Sequence, residues 1–229
     1  DLLSILYKLL EDNDIKKFFF IRYFDPENHI RIRIFSVDEK LEDDLKLMNS
    51  LSDIDFVNHV VLTEYNREIE RYGGIYNMEW AESVFIEETH FLRSFINNTR
   101  DINSIAFSIA INYFNLFYKH LNYEDKYNLW KIDINKEDYN FYRIHYKDNK
   151  NLKDIQDHIN DLFEGSDLEN SLSIYVDSII KSNKNLYNIY FSTIHMLYNR
   201  MGIDNQIEEM INKSISLYFK EQFYKWKKL

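Results

Sequence analysis

The stretch His29-Ile30-Arg31-Ile32-Arg33-Ile34-Phe35 decides how the first part of the chain folds and where its charge stands. The alternation is strict, and successive side chains of a strand point to opposite faces. His29, Arg31 and Arg33 therefore share one face of a strand and Ile30, Ile32 and Ile34 the other. In a chain of net charge −10, such a row reads in two ways. It is the ordinary solvated face of a half-buried strand, or it is a prepared anion site.

Working outward, Phe18-Phe19-Phe20-Ile21-Arg22-Tyr23-Phe24 precedes it as an apolar, β-rich run, and the turn Asp25-Pro26-Glu27-Asn28 joins the two as a hairpin-like pair. Before them, Leu2, Leu3, Ile5, Leu6, Leu9 and Leu10 form a helical stripe. Asp1 stands inside that pattern, so the chain is expected to continue upstream in the native protein. After the pair, Ser36 with Glu39 forms a capping box for an acidic helix over 37–50, with Leu41, Leu45 and Met48 inward. Residues 56–65 carry Val57, Val60, Val61 and Leu62 and are expected to form a third strand.

Gly73-Gly74 is the only glycine pair and implies a backbone demand, a positive φ or a close approach. From Tyr76 onward the pattern is helical almost throughout. It predicts helices near 77–97, 103–121, 151–164, 168–182, 185–200 and 204–227, with Gly202 as a helix stop and strand character at 140–145. With neither linker nor repeat, residues 1–229 read as one α+β domain, cut at its N-terminus: a small, mainly antiparallel sheet followed by a mostly helical C-terminal half.

Composition narrows the function classes. The chain has 229 residues, 45% of them hydrophobic and 17% aromatic, enough for a sizeable core. Four glycines and one proline favour helices over a turn-rich sandwich. The absence of cysteine excludes disulfides and thiolate chemistry and fits a reducing cytoplasm. The acidic balance argues against direct nucleic-acid binding, and no apolar run approaches the roughly 20 residues of a membrane span.

Two constellations carry chemistry. Glu68 and Arg71 lie three residues apart beside the glycine pair, flanked by Glu64, Arg67 and Glu70. They read as weak surface ion pairs or as a charged loop brought close to another backbone. His195 lies one helical turn before Asn199, on the same face. It reads as a hydrogen-bonded core histidine or as an acid or base near neutral pH. The other histidines lack metal-ligand spacing, so neither a metal nor another cofactor is expected. The aromatics Tyr113, Phe114, Phe117, Tyr118 and Trp130 recur at helical spacing, as core residues do.

Taken together, these stretches resemble the C-terminal domain of class I lanthipeptide dehydratases. Phe20-Ile21-Arg22-Tyr23-Phe24-Asp25-Pro26 with His29-Ile30-Arg31-Ile32-Arg33 is similar to the domain's start. Glu68-Ile69-Glu70-Arg71-Tyr72-Gly73-Gly74 matches the next block. Ala81-Glu82, Phe85 and Glu88-Thr89 resemble a helical block, and His195-Met196-Leu197-Tyr198-Asn199-Arg200 the last one. The blocks run in order over about residues 18–202. The resemblance implies a lyase that eliminates glutamate from glutamylated Ser and Thr of a ribosomal precursor peptide, leaving dehydroalanine or dehydrobutyrine. The glutamate is installed by a tRNA-dependent module, fused upstream or supplied as a separate subunit; a homodimer is a further possible partner state.

By the same resemblance Arg31, Arg33, Glu68, Arg71 and His195 are carried over as catalytic residues, and His29, Arg22, Asn199, Arg200 and Thr89 as substrate-binding ones. Arg31, Arg33 and Arg71 would bind the glutamyl group, Glu68 its ammonium, and His195 would handle a proton. The chain departs from the family pattern in having Glu88-Thr89 for Asp-Ser, Leu197 where relatives have a second histidine, and no strand before the first helix. Two other readings stay open. One is the pyridine-forming cycloaddition enzyme of thiopeptide biosynthesis, a relative of the same fold; the other is a non-catalytic peptide-binding domain.

Overall fold

The computed structural model describes residues 2–24, 27–35, 41–95, 101–130 and 132–226. The first helix, α1 (Leu2–Asp12), turns its leucine stripe inward and buries Leu3, Leu6, Tyr7 and Leu10. Two antiparallel strands follow, β1 (Phe18–Tyr23) and β2 (His29–Ile34). The pairing sets Phe19 opposite Arg33, Ile21 opposite Arg31 and Tyr23 opposite His29. Partners across a ladder share a face, so the cationic row is not a purely polar surface. It shares its face with Phe19 and Ile21, which pack into the main helical core. The opposite face, with Phe18, Phe20, Ile30, Ile32 and Ile34, closes a smaller core against α1 and against Leu47 and Leu51 of α2 (Leu41–Ser52). The sheet is thus covered on both sides at its Phe18–Phe20 end, while Arg31 stays exposed.

The capping box at Ser36 and Glu39 and the turn residues Asp25 and Pro26 lie outside the described residues. The expected third strand does not form. Residues 57–68 run in no regular element, and Phe56, Val61 and Leu62 stand 57%, 67% and 65% exposed. The β-branched residues here lack period-two alternation, and propensity without a partner edge does not make a strand. Only toward its end does the segment turn inward, where Tyr65 packs edge-on against Phe19 at 6.1 Å.

A short 3-10 turn, Ile69–Tyr72, leads to the glycine pair. Both glycines have positive φ, +94° at Gly73 and +98° at Gly74. A Cβ at Gly73 would fall 3.0 Å from both Asn77 and Ile189, so conformation and close approach act together. The main body comprises α3 (Ile75–Leu92), α4 (Ile102–Tyr118), α5 (Tyr123–Trp130), α6 (Lys136–Tyr142), α7 (Leu152–Phe163), α8 (Asp167–Lys181), α9 (Leu186–Met201) and α10 (Asn205–Trp226). Six of these match the helices read from the periodicity. The strand character at 140–145 is overridden. Asn135 accepts bonds from the Glu137 and Asp138 amides while Asp138 reaches back to the Asn135 amide, a capping box that launches α6. The helix then passes into a π turn, Arg143–Lys147.

Candidate active site

Each carried-over residue can be followed from its element. Arg31 is exposed at the middle of β2, its guanidinium 4.0 Å above the Tyr23 ring. Tyr23 stacks on His29 with centroids 5.1 Å apart and planes 8° from parallel. Arg31 Nε donates to His29 Nε2 at 3.3 Å, and His29 Nδ1 donates to the Glu27 carbonyl at 2.8 Å, which suits the Nδ1–H tautomer. His29 therefore orients Arg31 and Tyr23.

Arg33 lies two residues along on the same face, 4.7 Å over Tyr65. Its Nη1 reaches the Ile32 carbonyl only at 3.5 Å, and its buried Nε has no acceptor among the described residues. A buried donor left without a partner costs about 1–3 kcal/mol, a cost that an acceptor reaching this nitrogen would remove.

The loop opposite is held rigidly. Arg67 grips Glu82 of α3 through two bonds, Nε to Oε1 at 2.9 Å and Nη2 to Oε2 at 2.8 Å, with Glu82 buried. Burial, then Glu82, pushes the Tyr65 phenol up. This anchor positions Glu68 and Arg71, paired at 2.8 Å and both partly exposed. Burial works against the Arg71 charge, yet Tyr72, Glu68 and Tyr23 outweigh it and hold the guanidinium more firmly protonated. Through Tyr23, Arg71 and Arg31 share one neighbourhood. The Tyr72 phenol, buried beneath, is pushed up to about 12.

His195 comes from the other side, on α9. Its Nδ1 lies 2.8 Å from Glu208 Oε2, and both line a cleft of about 460 Å³ with Phe191, Glu209, Asn212 and Lys213. Neither Arg31, Arg33, Glu68 nor Arg71 lines that cleft. What ties α9 to the arginine face is Asn199. The Arg22 amide donates to Asn199 Oδ1 and Asn199 Nδ2 donates to the Arg22 carbonyl, each at 2.8 Å. His195 is one turn from this contact, about 6 Å along the same helix face, and Arg22 adjoins Tyr23.

Four of the five substrate contacts expected from sequence are occupied with other work. Asn199 mimics a neighbouring strand at the edge of β1. The Arg22 side chain donates Nε to the Arg200 carbonyl at 3.0 Å, clamping the end of α9. Thr89 is fully buried and returns its hydroxyl to the Phe85 carbonyl. Arg200 is buried too, ion-paired to Glu88 and lying 4.6 Å over the Phe85 ring. Thr89 and Arg200 are both buried in this conformation and brace the sheet from below. Of the five, only His29 reaches the arginine face. The sequence reading missed Tyr23, Tyr65 and Glu82, whose signal lay in the aromatics flanking each arginine, and Glu208. Among the described residues no cluster of His, Asp and Glu could hold a metal, and no helix is long and apolar enough to cross a membrane.

A two-stranded sheet with one cationic face, backed by a helical bundle that adds a histidine–carboxylate pair, defines the class of domain. The chain belongs to the family described as lantibiotic biosynthesis dehydratase, C-terminal, which matches residues 1–218. It is 26% identical over 220 residues to the nisin biosynthesis protein NisB of Lactococcus lactis subsp. lactis, covering 90% of this chain and 22% of that protein. It is 37% identical over 101 residues to the subtilin biosynthesis protein SpaB of Bacillus subtilis, covering 41% of this chain and 10% of that one. Among solved structures it resembles the tRNA-dependent lantibiotic dehydratase MibB from Microbispora sp. 107891, with a TM-score of 0.65 at 17% identity over 94% of this chain and 26% of that chain. That likeness concerns the fold. The chain spans about a quarter or less of the length of these relatives.

Proposed function

We propose that this domain eliminates glutamate from glutamylated Ser and Thr residues of a ribosomal precursor peptide, acting with a tRNA-dependent glutamylation module. Family membership supports a place in lantibiotic biosynthesis. The observation that carries the elimination step is the under-satisfied Arg33 guanidinium beside exposed Arg31. Two such donors on one rigid sheet face suit the carboxylate of a glutamyl adduct, which arginine grips through paired bonds. Arg71, across Tyr23, adds positive charge where negative charge develops on the amide carbonyl as the Cα proton leaves. Donors placed at such an oxygen are worth about 2.7–4 kcal/mol each in acyl-transfer enzymes. Glu68, already paired to Arg71 at 2.8 Å, faces outward and receives the adduct's ammonium, and His195 handles the proton. The ester makes carboxylate, rather than hydroxide, the leaving group.

The test is incubation of the chain with a synthetic peptide bearing a glutamyl-Ser ester, reading glutamate release and peptide mass. Loss of one glutamic acid from the peptide, abolished by Arg31→Ala, Arg71→Ala or His195→Ala, is the expected result. A macrocyclised product, or tight binding with the ester intact, would overturn the elimination reading in favour of cycloaddition or of peptide binding alone.

A further inference from the structure

The sequence leaves open whether His195 gives or takes a proton. The structure supplies a partner that bears on it. Gly202 ends α9 in the left-handed conformation, and the Asp204 side chain accepts from the Ile207 amide to start α10. This tight helical hairpin brings Glu208, six residues after Gly202, back beside His195, seven before it.

We propose that Glu208 is the positioning residue that holds His195 as a proton acceptor. Its carboxylate accepts the Nδ1 proton at 2.8 Å, and the side chains are 17% and 35% exposed, sheltered enough to keep the bond. An imidazole that donates from Nδ1 presents a lone pair at Nε2, and Nε2 has no protein partner among the described residues. The other charged groups at the cleft do not compete for His195. Lys213 is bound to Asp138 of α6 at 3.0 Å and to Glu209 at 2.8 Å. Asn212 accepts from the Tyr198 hydroxyl at 3.2 Å.

On the elimination reading, which this inference deepens, Nε2 takes the Cα proton. The C–H electron pair becomes the Cα=Cβ double bond, the Cβ–O bond breaks, and glutamate departs with that bond's electrons on its carboxylate. The imidazolium left behind faces the Glu208 carboxylate, which balances its charge until the proton passes to solvent.

Two measurements test this. In ¹⁵N-labelled chain, imidazole shifts of neutral His195 report the tautomer without any substrate. The native chain is expected to show Nδ1–H, and Glu208→Ala a shift toward Nε2–H. An Nε2–H tautomer in the native chain, or no change in the variant, overturns the proposal, whatever the chain's activity. In glutamate release, Glu208→Ala is expected to lower kcat about 10–100-fold, as losing the outer partner of a functional imidazole does, with KM little changed. Adding it to His195→Ala should cost nothing further, since groups acting as one unit are non-additive. An equal loss in both backgrounds would mean that Glu208 acts apart from His195. A chain that releases no glutamate yet shows the Nδ1–H tautomer retires the elimination reading while the pair stands.

Discussion

Replacing Glu88 with glutamine and replacing its partner Arg200 with methionine should both destabilise the fold, but only the second leaves a buried group that titrates. Both side chains are wholly buried. Glu88 also accepts from the Tyr113 hydroxyl at 2.6 Å, whereas Arg200 Nε and Nη2 have no acceptor among the described residues. Burial pushes the Glu88 carboxyl up, and Arg200 and Tyr113 hold it back. In E88Q the buried guanidinium loses its counter-charge, which should cost about 3–5 kcal/mol, and no carboxyl remains at position 88 to titrate. In R200M the stranded carboxyl escapes by taking a proton. A carboxyl whose folded pKa exceeds its unfolded value of 4.5 stabilises the fold below that value and loses the contribution as pH rises through the folded pKa. With proton uptake costing about 1.36 kcal/mol per unit of pH, R200M should lose up to about 2.7 kcal/mol relative to the native chain between pH 5 and pH 7. Urea unfolding at the two pH values measures both numbers. The double variant E88L/R200M, lacking either charge, should recover most of the loss. Equal costs for the single variants at both pH values would refute the reasoning.

Gly73→Ala, facing Asn77 and Ile189 at 3.0 Å with φ +94°, should cost about 2–3 kcal/mol. Gly165→Ala, with φ +72° and open space around it, should cost about 1 kcal/mol; thermal unfolding separates them. Asn199→Ala orphans both backbone groups of Arg22 and should cost about 1–3 kcal/mol. Hydrogen exchange at the Arg22 amide should then accelerate; unchanged protection would show that Asn199 does not hold the strand. Burial lowers the His145 pKa, so its contribution to stability is complete above about pH 6.5 and is lost as pH falls through the folded value. His145→Gln should flatten the stability profile below pH 6.5, which unfolding across pH 5–8 tests.

Long periodic segments were legible because burial stamps its period on the residues, as in α1, α4 and α8. The shorter α5 and α6 were not, since about two polar turns carry little periodicity, although the Asn135–Asp138 capping pair was in plain view. The third strand failed because propensity says nothing about an available edge. Alternation correctly put His29, Arg31 and Arg33 on one face. That Phe19 and Ile21 share it depends on register, which lies in the pairing rather than in either strand. The burial of Thr89 and Arg200 was not legible, because a family block does not say whether it lines a site or lies beneath one. Glu208 needed the hairpin at Gly202 to bring two helices together.

Asn199 has a consequence for growth of the sheet. Its amide fills the outward backbone groups of Arg22, so β1 is sealed there against another strand. Along β2, Ile30, Ile32 and Ile34 present their outward backbone groups to no strand among the described residues. At Arg22, β1 therefore has no free backbone group for another strand, whereas an extended chain pairing along β2 would arrive next to Arg31 and Arg33.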